Sequence, residues 1–203
     1  MKLKFISGLF LLALILISCN TSNKEEGYII RGTINGLDEG TALLAKLDLT
    51  TNEQQNVDTT EIKNGKFIFK GKLDSPYLHT IFINGKSKKT HLFLENSDIT
   101  ITGDFDTFET AKVIGSKEDS LFHSVATNDI FDRKKGMDIM LKNPDYAFAA
   151  FTAYYQFQVF NIQVDTLDLI MKNFKEPVRK TIYYKHLDKL YKTIKKVAIT
   201  AHA

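Results

Sequence analysis

Residues 57–73 decide the fold of this 203-residue chain, and they read VDTTEIKNGKFIFKGKL. Two runs of alternating polar and apolar residues flank the pair Asn64-Gly65. This pair is the strongest short-range signal for a β-hairpin, because a type I′ turn requires positive φ at both of its central residues. With Asn64-Gly65 at the tip, we expect Ile62 to face Phe67 across the ladder.

The same register separates a dry face of the hairpin from a wet one. Thr60 is expected opposite Phe69 on the dry face, and Glu61 opposite Ile68 on the wet face. Glu61 would then lie diagonally within reach of Lys66, and also of Lys70, which is a favourable arrangement of charges. The hairpin is therefore predicted to cover a core with one face and to set the register of a β-domain.

Other short runs with alternating character lie on both sides of the hairpin, separated by turn residues. In the second run, Leu43, Ala45 and Leu47 are expected on one face of the strand. Short strands at close spacing favour an antiparallel sandwich or barrel-like domain, here over residues 28–116, and not a parallel sheet. The further predicted strands are Tyr28–Ile34, Thr41–Leu47, Leu78–Ile83, Thr90–Leu94, Ile99–Gly103 and Ala111–Ile114.

From about Ser116 the apolar period becomes helical, so residues 117–199 are predicted to form a helical region. Asn143-Pro144-Asp145 predicts a helix start, with proline at the first helical position. An aromatic run, Tyr146–Phe160, follows it. Asp165 is expected to cap a short helix through Phe174, and Pro177 to open a final helix reaching Val197. Strands followed by helices predict an α+β fold.

The N-terminus predicts export and lipidation. Met1–Ser18 has the features of a signal peptide, with an apolar run that is too short to span a bilayer comfortably. Leu16-Ile17-Ser18-Cys19 matches the bacterial lipobox, in which the cysteine thiol receives diacylglycerol. We therefore predict lipidation of Cys19, a tether over residues 19–27 and a tail over residues 200–203. The alternative is an ordinary signal peptide that ends near a chance cysteine.

Charge and cysteine content exclude several classes of protein. The formal net charge is +3, and it falls to about +1 without Lys2 and Lys4 of the signal peptide, so nucleic-acid binding is not indicated. Cys19 is the only cysteine. A mature chain with Cys19 lipidated would hold no thiol, no disulfide and no Cys-x-x-Cys pair.

No catalytic, cofactor-binding or metal-binding constellation stands out in the sequence. The five histidines, His79, His91, His123, His186 and His202, show no metal-ligand spacing. His79 and His91 are each interpreted as satisfied polar positions on neighbouring strands. The aromatic run is interpreted as core packing, with a ligand pocket as the alternative. Basic residues of the last helices form a solvated face or, alternatively, contact anionic lipid headgroups or an acidic partner.

The order of motifs over about Tyr28 to Asp119 resembles a known family. The motifs are IRGTINGL (30–37), EGT (39–41), NGKFIFKG (64–71), FLEN (93–96), ITITG (99–103) and IGS (114–116). They are similar to an N-terminal β-domain of unknown function that precedes the thioredoxin fold of TlpA/ResA-like thiol–disulfide reductase lipoproteins. The Trp-Cys-x-x-Cys site of those reductases has no counterpart here.

The resemblance implies an envelope location and a thiol–disulfide pathway. We expect a non-catalytic accessory module, anchored by lipid to a membrane, with the outer membrane favoured, and facing the periplasm or the cell surface. Its partners would be that membrane and an envelope protein. Two alternatives stay open: a truncated N-terminal part of a thioredoxin-like oxidoreductase, and a small-ligand binding module that uses the aromatic helix.

Overall fold

A computed structural model describes residues 27–160 and 163–200, with the side chains of 198–200 excepted. Within this part of the chain, eight strands precede seven helices, which confirms the predicted α+β fold. The strands are β1 Tyr28–Asn35, β2 Glu39–Leu47, β3 Gln54–Lys63, β4 Lys66–Gly71, β5 Tyr77–Ile83, β6 Lys88–Leu94, β7 Asp98–Asp104 and β8 Lys112–Ile114. The helices are α1 Lys117–Ser124, α2 Thr127–Ile130, α3 Arg133–Lys142, α4 Ala147–Val159, α5 Val164–Asn173, α6 Glu176–Arg179 and α7 Ile182–Thr200.

The strands form one nearly closed, barrel-like sheet in the order β6-β5-β2-β3-β4-β1-β7-β8. The prediction of a purely antiparallel domain is wrong at one place, because β1 pairs with β7 in parallel from Ile29↔Asp98 to Asn35↔Asp104. β1 already pairs antiparallel with β4 on its other edge. The parallel pair therefore carries the sheet on from β1 to β7 and β8.

The hairpin turn is confirmed. Asn64 and Gly65 have φ of 49° and 70°, as type I′ geometry requires, and Lys63 pairs with Lys66. Ile62 and Phe67 are buried, while Glu61 and Ile68 are exposed. However, β3 and β4 pair only at Lys63↔Lys66 in the described part of the chain, because β3 then follows β2 and β4 follows β1. Glu61 forms its ion pair with Lys63 at 2.6 Å and not with Lys66 or Lys70.

Leu43, Ala45 and Leu47 share one face of β2, as predicted, but it is Ala42 and Leu44 on the other face that enter the core of the sheet. A β-bulge between Leu44 and Ala45 shifts the register of pairing with β3. After the bulge Ala45 is also buried, whereas Leu43 is only half-buried and Leu47 is exposed. The extra residue of the bulge is Val57 of β3, so β2 keeps its alternation and its regular register with β5.

Three predicted helix boundaries are wrong. Asn143 ends α3 instead of starting a helix, and its side-chain Nδ2 donates to the Ile139 carbonyl at 2.9 Å. The aromatic helix α4 starts at Ala147, after Pro144 and Asp145 have turned the chain. Gln163 occupies the N-cap position of α5 without a side-chain hydrogen bond, so Asp165 lies inside the first turn. The final segment divides into α6 and α7, because the chain turns at Lys180 and Thr181.

Two hydrophobic clusters fill the molecule. One lies inside the barrel-like sheet and includes Ile30, Phe69 and Ile101. The other lies among the helices and includes Phe148 and Leu187. Phe93 of β6 belongs to the helical cluster, so the sheet contributes directly to the core of the helical region.

Candidate functional site

A cleft of about 250 Å³ opens where the sheet meets the last helix, and we call it the junction cleft. Polar groups from four separate segments line it. Lys46 lies next to the end of β2, Asp74 lies in the β4–β5 loop, His79 is in β5 and His186 is in α7. The remaining lining residues are Asp48, Leu49, Thr50, Leu73, Ser75, Tyr77 and Ile182.

His79 is the most buried titratable group of the junction cleft, with 1% of its surface exposed. It points inward because β5 alternates, and Ile81 and Ile83 share its buried face. The Nδ1 atom of His79 lies 2.9 Å from the Tyr77 carbonyl oxygen. Since a carbonyl oxygen only accepts, Nδ1 carries the proton. Nε2 is then an acceptor, and it is buried without a partner in residues 27–160 and 163–200.

Burial lowers the pKa of His79 to about 4 from its ordinary value of 6.5, and the nearby Lys46 ammonium acts in the same direction. The Tyr77 carbonyl opposes this shift only in part. His79 is therefore neutral at pH 7, and its chemistry there is that of a buried hydrogen-bond acceptor. A ligand or water that donates a hydrogen bond would complement Nε2.

We expect stability to fall on acidification because of His79. Its folded-state pKa lies below its unfolded value, so its contribution is present above about pH 6.5 and is lost as the pH falls towards about 4. The loss amounts to up to about 3 kcal/mol, from about 1.4 kcal/mol for each pKa unit. Urea denaturation of the wild type and of His79→Asn at several pH values across this range measures this loss of stability.

Asn is the matched variant, because its Nδ2 can still donate to the Tyr77 carbonyl while nothing at the position titrates. The difference between the two proteins should shrink as the pH falls from 6.5 to 4. Other titrating groups cancel in this difference because both proteins carry them. A constant difference over that range would show that burial of His79 does not depress its pKa.

Tyrosines join the sheet to the helices beside the junction cleft. The Tyr77 and Tyr183 rings stack with their centroids 5.1 Å apart, and the Tyr183 hydroxyl accepts a hydrogen bond from the Leu78 backbone N–H at 3.1 Å. Burial raises the pKa of both tyrosines. A second cleft of about 200 Å³ shares Tyr77 with the junction cleft and is also lined by Phe151 and Tyr155 of α4.

Most side chains of the aromatic run pack in the core, as interpreted from the sequence. Phe148 and Phe151 are buried, and with Phe93 of β6 they form edge-on and stacked pairs with centroids 5.8 Å apart. Rings packed against one another in this way fill the space between α4 and the sheet. Tyr155 lines the second cleft only at the margin of this cluster.

A network of buried carboxylates fastens α1 to both β6 and α4. Asp119 Oδ1 accepts the Phe93 backbone N–H at 2.9 Å. Glu118, 2% exposed, accepts the backbone N–H groups of Ala147 and Phe148 at 2.9 and 3.0 Å, and so caps the N-terminus of α4. Burial raises the pKa of Glu118. Ser116 caps α1 by accepting the Asp119 N–H at 3.0 Å.

We did not predict this network from the sequence, although the part at the start of α1 has a sequence signal. Ser116-x-x-Asp119 is a capping-box pattern, and it indicates the start of α1. The long reach of Glu118 to α4 has no local signal. Asp119 Oδ2 also binds His123 Nδ1 at 2.9 Å, and this contact raises the pKa of His123. The network holds the two parts of the molecule together.

The structure does not bring together the histidines that were considered as candidate site residues. His79 lies on the buried face of the sheet and His91 on the exposed face, where His91 Nδ1 lies 3.0 Å from Thr80 Oγ1. His79 is not the satisfied position that was predicted, because its Nε2 has no hydrogen-bond partner among the described residues. Cys19 and His202 lie outside the described residues.

The described residues hold no group of three or more His, Cys, Asp or Glu arranged to bind a metal ion. In the same part of the chain, no helix is both long and apolar enough to cross a bilayer. The polar groups of the junction cleft can hold a small ligand by hydrogen bonds and charge.

The segment that forms the barrel-like sheet and most of α1 matches the model of a protein family. Residues 28–122 match the family described as "Domain of unknown function (DUF4369)". The match runs from the first residue of β1 to Phe122 in α1, so it covers the whole sheet together with Glu118 and Asp119. No curated protein matches the chain.

Proposed function

We propose that this chain is a lipid-anchored, non-catalytic module of the bacterial cell envelope, an accessory to thiol–disulfide exchange. The sequence Leu16-Ile17-Ser18-Cys19, at the end of a basic and apolar leader, carries the proposal. Each CH₂ of an acyl chain that enters the bilayer contributes about 0.8 kcal/mol, so a diacylated cysteine anchors firmly. The tether from Cys19 leads directly to β1, which starts at Tyr28.

The pathway part of the proposal rests on the resemblance to the N-terminal domain of TlpA/ResA-like lipoproteins. Cys19 is the only cysteine of the chain, so a lipidated Cys19 leaves the chain without a redox thiol. Its contribution to thiol–disulfide exchange is then to bind or to position another envelope protein.

We expect Cys19→Ala to release the protein from the membrane fraction, because the acceptor of the lipid is gone. The measurement is the partition of the protein between membrane pellet and supernatant, with incorporation of labelled palmitate as a second readout. Ser22→Ala, in the same tether, is the matched control and should stay in the pellet. A Cys19→Ala protein that still pellets and still takes up palmitate contradicts lipidation at Cys19.

The same strains test the accessory role. Alkylation of free thiols in a strain that lacks the chain should show a changed redox state of exported proteins, restored by the wild type and not by Cys19→Ala. An unchanged redox state in the deletion strain would contradict the link to thiol–disulfide exchange while leaving the anchor intact.

Small-ligand binding at the junction cleft is a second candidate, favoured by the unpartnered Nε2 of His79. The matching ligand is small, since the cleft holds about 250 Å³, and carries a hydroxyl or ammonium donor. The ¹⁵N signal of Nε2 should shift when such a compound binds. A screen of hydroxyl- and ammonium-bearing compounds that leaves this signal unmoved would remove the candidate.

A further inference from the structure

The start of the folded domain and the last helix lie on the same side of the molecule. Gly27 packs so closely on β4 that a Cβ there would collide with the Gly71 carbonyl oxygen. Two residues beyond Gly71, the segment 73–75 lines the junction cleft together with Ile182 and His186 of α7. The polypeptide that arrives from Cys19 therefore enters the fold next to the first two turns of α7.

Positive charge is concentrated on the segment that contains α7. Residues 163–200 hold nine Lys and Arg against four Asp and Glu, whereas residues 27–116 hold ten against twelve. The sheet is thus slightly acidic and the last three helices are strongly basic. A field of one sign on one side of a protein favours an oppositely charged surface.

One face of α7 presents this charge without internal neutralisation. Tyr183 and Leu187 are buried and fix the opposite face against the helical core. Lys185 and Lys189, four residues apart, are exposed, and their side chains form no hydrogen bond or ion pair with the described residues. By contrast, Lys192 pairs with Asp188 at 2.6 Å.

We propose that this face of α7, centred on Lys185 and Lys189, rests on anionic phospholipid headgroups when the chain is anchored. The orientation depends on the proposed anchor, since eight residues from Cys19 to Gly27 span at most about 28 Å. A short tether that enters beside α7 holds the basic face close to the bilayer, and this selects a lipid surface over a free acidic protein. Each lysine near an anionic surface favours binding by about fivefold.

Vesicle flotation tests this face apart from the anchor. The full chain and the full chain with Cys19→Ala are each mixed with phosphatidylcholine vesicles and with vesicles that also contain phosphatidylglycerol. The leader and the lipid partition into both, and Lys2 and Lys4 of the leader are common to all variants, so the change in the ratio between variants reports the charged face. We expect a ratio of at least tenfold for both chains. It should fall towards one at about 1 M salt, where the Debye length is about 3 Å.

The double variant Lys185→Glu with Lys189→Glu should lower the ratio by about 30-fold or more, from two contacts at about fivefold each and added repulsion, bringing it to or below one. Lys63→Glu with Lys66→Glu changes the net charge equally at the tip of the β-hairpin, at the opposite end of β4 from Gly71, and should leave the ratio unchanged. Lys185→Gln with Lys189→Gln is the milder variant if the double Glu protein melts early.

The results separate the two proposals. A Cys19→Ala chain that still takes up palmitate contradicts the anchor, whereas the vesicle ratio tests α7 in either chain. A ratio near one in the wild type, or an equal loss in the hairpin control, overturns the role of α7. Binding to poly-aspartate without preference for anionic vesicles also overturns it, because the partner would then be an acidic protein.

Discussion

Glu118→Ala is expected to lower the free energy of unfolding by about 4 kcal/mol, because it orphans two buried donors at about 1–3 kcal/mol each and removes a charge from a helix N-terminus. The donors are the Ala147 and Phe148 N–H groups, now bound at 2.9 and 3.0 Å. Such a loss is a large share of the usual 5–15 kcal/mol. Urea denaturation followed by circular dichroism measures it.

Glu118→Gln is the graded control. An amide offers one acceptor oxygen and places an NH₂ group where the other backbone N–H now finds an acceptor, so we expect about half the loss. Glu109→Ala, at an exposed position, should change stability by less than about 0.5 kcal/mol. A Glu118→Ala protein as stable as the wild type would show that the start of α4 does not depend on this carboxylate.

Gly65→Val is expected to cost about 4 kcal/mol as well, for two separate reasons. Gly65 has φ of 70°, where a β-branched residue is strained by about 1–3 kcal/mol. A Cβ at this position would also lie 2.6 Å from the Ile34 carbonyl oxygen, so overpacking adds about 1–3 kcal/mol. The drop in melting temperature reports the sum.

Gly36→Val separates these two causes. Gly36 has φ of 81°, but a Cβ there meets no heavy atom within 4 Å, so only the conformational cost applies. The Gly65 variant should therefore be less stable than the Gly36 variant by about 1–3 kcal/mol. Equal stability of the two would mean that the hairpin tip is not pressed against β1.

Local chemistry predicts the hairpin tip, because positive φ at Asn64 and Gly65 depends on those two residues. It does not predict that β3 and β4 separate after one pair, since that follows from the competing partners β2 and β1. The Asn143 error has a similar origin. Asn followed by Pro suits both the end of one helix and the start of another, and only the packing of α3 decides between them.

The candidate site was less predictable than the fold. The inward orientation of His79 depends on which face of β5 meets the core. Both faces of that strand carry apolar residues, so the sequence does not indicate which face is buried. Glu118 has a helix-starting neighbour in the sequence, but its acceptor role needs the start of α4 to lie beside it. Side chains that act across the two parts of the molecule leave no periodic signal.

The parallel pairing of β1 with β7 also determines when the sheet can be completed. The side chains of Asn35 and Asp104 bond at 2.9 Å across this pair although 69 residues separate them. Contacts between residues so distant in sequence form slowly, because a long loop must close before they can form. In a chain that emerges N-terminus first, β1 keeps one open edge until β7 has been synthesised. The first strand of the molecule is thus among the last to acquire both of its neighbours.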